Sequence, residues 1–195
     1  MDTGRLEAFS DGVIAILITI MVLDLRAPLG TGLASLLPLR PVLLTYLLSF
    51  LYLGIYWNNH HHMFHATRRV TGSILWANLH LLFWLSLLPF ATGWMGDNHF
   101  AAVPTALYGA VLLMAAVAYK LLQTVIIASQ GPDSLLRRAV GSDWQGKVSI
   151  VGYLIAVPLA FAASWMADAL YLIVALLWLV PDRRIERVIA GEETH

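Results

Sequence analysis

The residues able to do chemistry gather in two stretches of this chain. The first is "GRLEAFSDG", residues 4–12, where Arg5, Glu7, Ser10 and Asp11 run directly into an aliphatic segment. The second is "NNHHHMFH", residues 58–65, followed after a short gap by Asn78 and His80. Carboxylate, hydroxyl, amide and imidazole groups of this kind could relay a proton, hold a metal ion or lock helices together by hydrogen bonds. Consecutive His60, His61 and His62 point about 100° apart on a helix, so they cannot all ligate one ion. His61 with His65, or His62 with His65, has metal-compatible spacing, but nothing resembling an HExxH motif accompanies them. The chain has no cysteine, which removes disulfides, thiolate metal sites and thiol catalysis. It also lacks a Gly-x-Ser-x-Gly nucleophile elbow and a TVGYG-like carbonyl filter. No catalytic residue, no resident metal and no cofactor are expected.

The elements that must position these groups follow from composition. Of 195 residues, 59% are hydrophobic and only 12% charged, and the mean hydropathy is +0.73. Soluble domains carry about twice that charged fraction. Net charge is zero, which gives no electrostatic case for nucleic acid. The expected class is therefore an all-α integral membrane protein embedded in the lipid bilayer. Arg5 followed by an apolar run has the outline of a signal peptide, but Glu7 and Asp11 spoil the basic leader and "DLRAPLG" is a poor cleavage site. The segment reads as a retained first membrane helix.

A span needs about 20 residues. Six candidates cover residues 6–25, 42–62, 74–94, 101–122, 148–165 and 167–181, the last two meeting at a turn around "SWMAD". Proline- and glycine-bearing segments separate the earlier ones, and Pro89 and Pro158 should kink the spans that hold them. Nothing marks a second domain, so residues 1–195 read as one six-helix bundle. Of the 12 Lys and Arg residues, Arg5, Arg68, Arg69, Lys120, Arg137, Arg138, Lys147, Arg183, Arg184 and Arg187 fall on one side, and Arg26 and Arg40 on the other. The positive-inside rule then makes both termini cytosolic. "DRRIERVIAGEETH" reads as a short solvated helix and tail. Most tryptophans mark span ends; Trp84 sits nearer the middle of the third.

On the first helix, Ile16, Ile20 and Leu23 lie at i, i+4 and i+7 and share one face, with Thr19 beside them. Asp11 falls well round toward the opposite side. A carboxylate inside a span is costly and finds partners in the protein interior. Depth selects them: the inner ends of spans one, two and three share a level. The geometry therefore groups Arg5, Ser10, Asp11, one or more of His60, His61 and His62, Asn78 and His80 in a buried polar cluster.

The Arg5, Phe9, Ser10, Asp11 pattern resembles the head of the first helix in the transmembrane protein 175 family, lysosomal cation channels with single-repeat prokaryotic relatives. The likeness continues through "VIAILITIMVLDL", "NNHHHMF" and "NLHLLFWLSLLPF". It implies a six-helix subunit assembling as a homotetramer, with the first helix lining a pore for potassium and other monovalent cations. It implies a constriction at Ile16, Ile20 and Leu23, with Thr19 as a hydroxyl layer and only modest preference for potassium over sodium. Arg5, Phe9, Ser10, Asp11, His61, Asn78 and His80 are implied to bind helices together rather than to filter ions. A prokaryotic plasma membrane is the expected location. Two other readings stand beside it: a histidine-containing membrane enzyme or haem or metal carrier, and a proton-coupled small-solute transporter.

Overall fold

The computed structural model describes residues 2–131, 134, 136–137 and 143–179. Every regular element among them is helical. α1 runs Thr3–Leu23, α2 Arg40–His65, α3 Gly72–Ser86, α4 Leu88–Asp97, α5 Ala102–Gln130, α6 Trp144–Ala162 and α7 Ser164–Leu179. A 3-10 turn, Leu33–Leu39, leads straight into α2, whose Pro41 sits in the first turn, where the missing N–H costs nothing.

Among the described residues five helical segments are long and apolar enough to cross a membrane: Thr3–Leu23, Leu33–His65, Gly72–Asp97, Ala102–Gln130 and Trp144–Ala162. The sixth, Ser164–Leu179, is apolar but shorter, and residues 180 and 181 of the expected span lie outside the described residues. So do Arg138, Arg183, Arg184, Arg187 and the tail after them.

The expected prolines behave differently. Pro89 divides the third span into α3 and α4 at Leu87, because its ring nitrogen cannot donate to the carbonyl four residues back. A tighter bond from Leu87 N–H to Trp84 O, 3.2 Å, closes the end of α3. Pro158 instead lies inside an unbroken α6. The break between the last two spans falls at extended Ala163, just before "SWMAD", with Ser164 opening α7. α5 continues eight residues past its expected end at Leu122, to Gln130. Gly131, at φ 86°, ends it with a positive backbone angle that glycine adopts without strain.

α1 packs against α2, α3 and α4, and α5 against α3, α4, α6 and α7. With no hydrophobic force between helices in lipid, close approach and buried hydrogen bonds hold such a bundle. Gly109 shows the first: a Cβ there would sit 2.0 Å from the Tyr171 hydroxyl oxygen. That clearance lets Tyr171 donate to Thr105 O at 3.1 Å. A chain of hydroxyls shows the second. Ser49 Oγ lies 2.6 Å from Thr92 Oγ1 and 2.9 Å from the Tyr108 hydroxyl, while Tyr52 donates to Tyr171 O at 2.6 Å and receives from Tyr153 at 3.1 Å.

Candidate functional site

α1 has two unlike faces. Leu6, Ser10, Ile14, Leu17 and Met21 are buried against the bundle, spaced at the three- and four-residue steps of one helical face. The other face is uncovered: Phe9 is 51% exposed, Ile16 57%, Ile20 43% and Leu23 79%. Arg5 is exposed as well. It precedes Ile16 by eleven residues, about 20° past three full turns, so the two share a seam. Thr19 completes that seam. Its hydroxyl donates to Ile16 O at 2.8 Å, which turns the oxygen lone pairs, rather than the hydrogen, outward.

The buried face is anchored by a polar chain. His60 Nε2 lies 2.8 Å from Asn78 Oδ1, Asn78 Nδ2 donates to Ser10 Oγ at 2.9 Å, and Ser10 Oγ donates to Leu6 O at 2.9 Å. The amide fixes the direction of every bond: its oxygen accepts, so neutral His60 carries its proton on Nε2. His60, Asn78 and Ser10 are all fully buried. One histidine, one amide and one hydroxyl thus join α2, α3 and α1.

The structure differs from the expected cluster in its membership. His60, and not His61, meets Asn78. His61 Nδ1 instead pairs with Glu7 Oε1 at 2.5 Å, with Trp57 and His65 rings on either side at 6.5 and 5.5 Å between centroids. Successive histidines differ by about 100° round the helix, so only one can aim into the α1–α3 interface. His80 turns away to accept a 3.0 Å bond from Trp84 Nε1, one turn along α3. That bond also accounts for a tryptophan in mid-span. Arg5 and Phe9 lie on the uncovered seam rather than in the cluster. Asp11 is half-buried, with Oδ1 enclosed and no hydrogen-bond partner among the described residues. It stands about 100° from Ser10 round the helix, off the face that meets α3. Glu7 was legible in the sequence as an acid one turn before Asp11, but its partner was not. Among the described residues no group of three or more His, Asp or Glu side chains converges to hold a metal.

The comparisons with known proteins bear on this arrangement. The family model described as the endosomal/lysosomal potassium channel TMEM175 matches residues 5–89, which begin at Arg5 and hold α1 to α3. A potassium channel of Chryseobacterium sp. (strain P1-3) is 54% identical over 187 residues, covering 96% of this chain and 97% of that relative. This chain belongs to the TMEM175 family. The crystal structure of a lysosomal potassium-selective channel TMEM175 homolog from Chamaesiphon minutus superposes on it with a TM-score of 0.78 and 29% identity, covering 91% of this chain and 96% of that one. An endosomal/lysosomal proton channel TMEM175 of Mus musculus is 34% identical over 99 residues, 45% of this chain and 20% of the relative. As a TMEM175 family member with these apolar helices, the chain is a multi-pass membrane protein.

Proposed function

We propose that this protein is a potassium-permeable cation channel of the prokaryotic plasma membrane, the whole chain acting as one subunit of a homotetramer with α1 around the axis. The observation that carries the reading is the uncovered seam of α1. Ile16, Ile20 and Leu23 remain exposed on a helix whose opposite face is pinned by buried hydrogen bonds. Relatives named as potassium channels over nearly the full chain support it.

Four copies of α1 would bring rings of Ile16, Ile20 and Leu23 to the axis. A narrow apolar ring sheds water and so opposes ion passage until it widens. Thr19 supplies the ring's nearest oxygen, with its proton already committed to the backbone and its lone pairs free to replace part of a cation's hydration. The sequence holds no TVGYG-like run to build a cage of backbone carbonyls, so preference for potassium over sodium should be modest. Asp24 and Asp97 line a crevice beside Leu23, together with Arg26. At the outer mouth, net negative charge there would raise the local cation concentration.

The test is potassium flux into liposomes holding purified protein, with sodium in a parallel arm and Leu23→Ala beside the wild type. Potassium-favouring flux that the substitution raises is expected. Flux that the substitution leaves unchanged, with Ile16→Ala equally silent, removes this seam from the conduction path.

A further inference from the structure

The end of α5 that runs past the expected membrane span finishes on an amide with a task of its own. Residues 66–71 join α2 to α3 and hold Arg68 and Arg69. Gln130 spends both ends of its side chain on that loop: Oε1 accepts from Arg68 N–H at 3.1 Å, and Nε2 donates to Arg69 O at 3.1 Å. Thr3 of α1 donates to the neighbouring Thr67 O at 3.4 Å, and Thr71 caps α3 by accepting from Ile74 N–H at 3.3 Å. The backbone of this dibasic loop is thus tied to α1, α3 and α5, while both arginines stay exposed. We propose that the loop and the uncovered face of α3 beyond it bind an anionic phospholipid, with the two guanidinium groups on its phosphate and an acyl chain along α3.

Charge sets the class of headgroup. Neither guanidinium pairs with a carboxylate among the described residues, and two acids at this end of the bundle are already engaged, Glu7 by His61 and Asp143 by Lys120. Adjacent unpaired cations at a membrane surface attract anionic lipid, and the planar guanidinium fork matches phosphate oxygens two at a time. The apolar half of the site comes from α3. Trp76, Leu79 and Phe83 follow at i, i+3 and i+7 and share one helical face. All three are exposed, Trp76 by 76%. An indole belongs at the level of lipid headgroups, so Trp76 sets the loop at the bilayer surface and the rest of that face among acyl chains. A soluble anion would use the arginines alone; a phospholipid uses both features. The clamp has its own effect. A loop free to move would lose conformational entropy each time it gathered two arginines on one phosphate, and Gln130 removes part of that loss in advance.

The experiment is native mass spectrometry of the purified full chain in detergent, with dioleoylphosphatidylglycerol or dioleoylphosphatidylcholine titrated in. Phosphatidylglycerol is expected to bind at least about tenfold more tightly, since two basic residues at a membrane surface contribute about fivefold each. Arg68→Gln combined with Arg69→Gln should weaken phosphatidylglycerol by about 25-fold on the same reckoning. Phosphatidylcholine binding, unchanged in that variant, shows that the fold survives. Gln130→Ala keeps every charge and frees the loop, so it should weaken phosphatidylglycerol by roughly threefold to tenfold, the worth of a neutral hydrogen bond. Lys147→Gln removes an exposed cation from the first turn of α6 and should leave the affinity within about twofold, because that residue lies outside the loop and its contribution of about fivefold applies only at the phosphate. Equal weakening by Lys147→Gln and by the arginine pair would mean a diffuse positive field and overturns the proposal. So does Gln130→Ala without effect. Displacement of the lipid by glycerol phosphate, which has the headgroup charge and no acyl chain, would assign a soluble phosphate instead and overturns it too. The readout needs no ion flux and no choice of leaflet, so it stands or falls separately from the channel reading.

Discussion

Replacing Asn78 by alanine should be the most damaging single change to the seating of α1. Asn78 makes two bonds at once, accepting from His60 Nε2 at 2.8 Å and donating to Ser10 Oγ at 2.9 Å. The nitrogen on the other side of the His60 ring, Nδ1, is already buried without a partner. Alanine would therefore leave the whole imidazole unsatisfied, at about 1–3 kcal/mol for an orphaned buried group. Losing the Ser10 bond adds about 0.6 kcal/mol, the average for interhelical bonds in membranes, with about 1.7 as the upper end. The total comes to about 2–4 kcal/mol. Ser10→Ala should cost about 1–2 kcal/mol, because it strands the buried Asn78 Nδ2 donor while the amide keeps its bond to His60. Unfolding of each purified variant in mixed detergent, with the double variant completing the cycle, reads both costs and their coupling. Ser10→Ala as damaging as Asn78→Ala, or a coupling of zero between them, would refute the claim that the amide joins α1 to α2.

Other outcomes follow from the same geometry. Ile16→Asn should raise ion flux and weaken discrimination between potassium and sodium in liposomes, since a polar ring wets where an isoleucine ring does not. Asp11→Ala should lower the yield of assembled protein on size-exclusion chromatography more than it alters selectivity; normal assembly with changed selectivity would move Asp11 to the conduction path. Gly109→Ala should destabilise the subunit by about 1–3 kcal/mol in thermal unfolding, through overpacking, because the new Cβ would meet Tyr171 at 2.0 Å. Tyr171→Phe in that background should recover part of the loss, since the hydroxyl is the nearest clashing atom.

The membrane class and the six apolar segments were legible because bilayer thickness imposes a length on hydrophobic runs, and lipid tolerates few charges. The two faces of α1 were legible for a related reason: helical periodicity places Ile16, Ile20 and Leu23 together whatever surrounds them. Partner choice within the polar cluster was not. Three adjacent histidines present three directions, and the rotation of α2 that selects His60 for Asn78 and His61 for Glu7 is set by packing along the whole helix. His80 gave a similar ambiguity, resolved by Trp84 four residues on. The hydroxyl chain of Ser49, Thr92 and Tyr108 had no signal at all, because serine, threonine and tyrosine occur widely in apolar helices and only three-dimensional proximity pairs them.

The anchoring of α1 is lopsided along its length. Its strong hydrogen bonds cluster at Glu7 and Ser10, whereas near the other end Met21 meets only a weak 3.9 Å contact from Thr92. A rod fastened close to one tip behaves as a lever. Ser10 and Leu23 are thirteen residues apart, a span of about 20 Å along the axis. A tilt of about 5° at the fastened end would sweep Leu23 sideways by about 2 Å, while Ile16 would travel less than half as far. In a fourfold ring such a swing would change the opening at Leu23 most, so small rearrangements at the hinge would be amplified at the far tip.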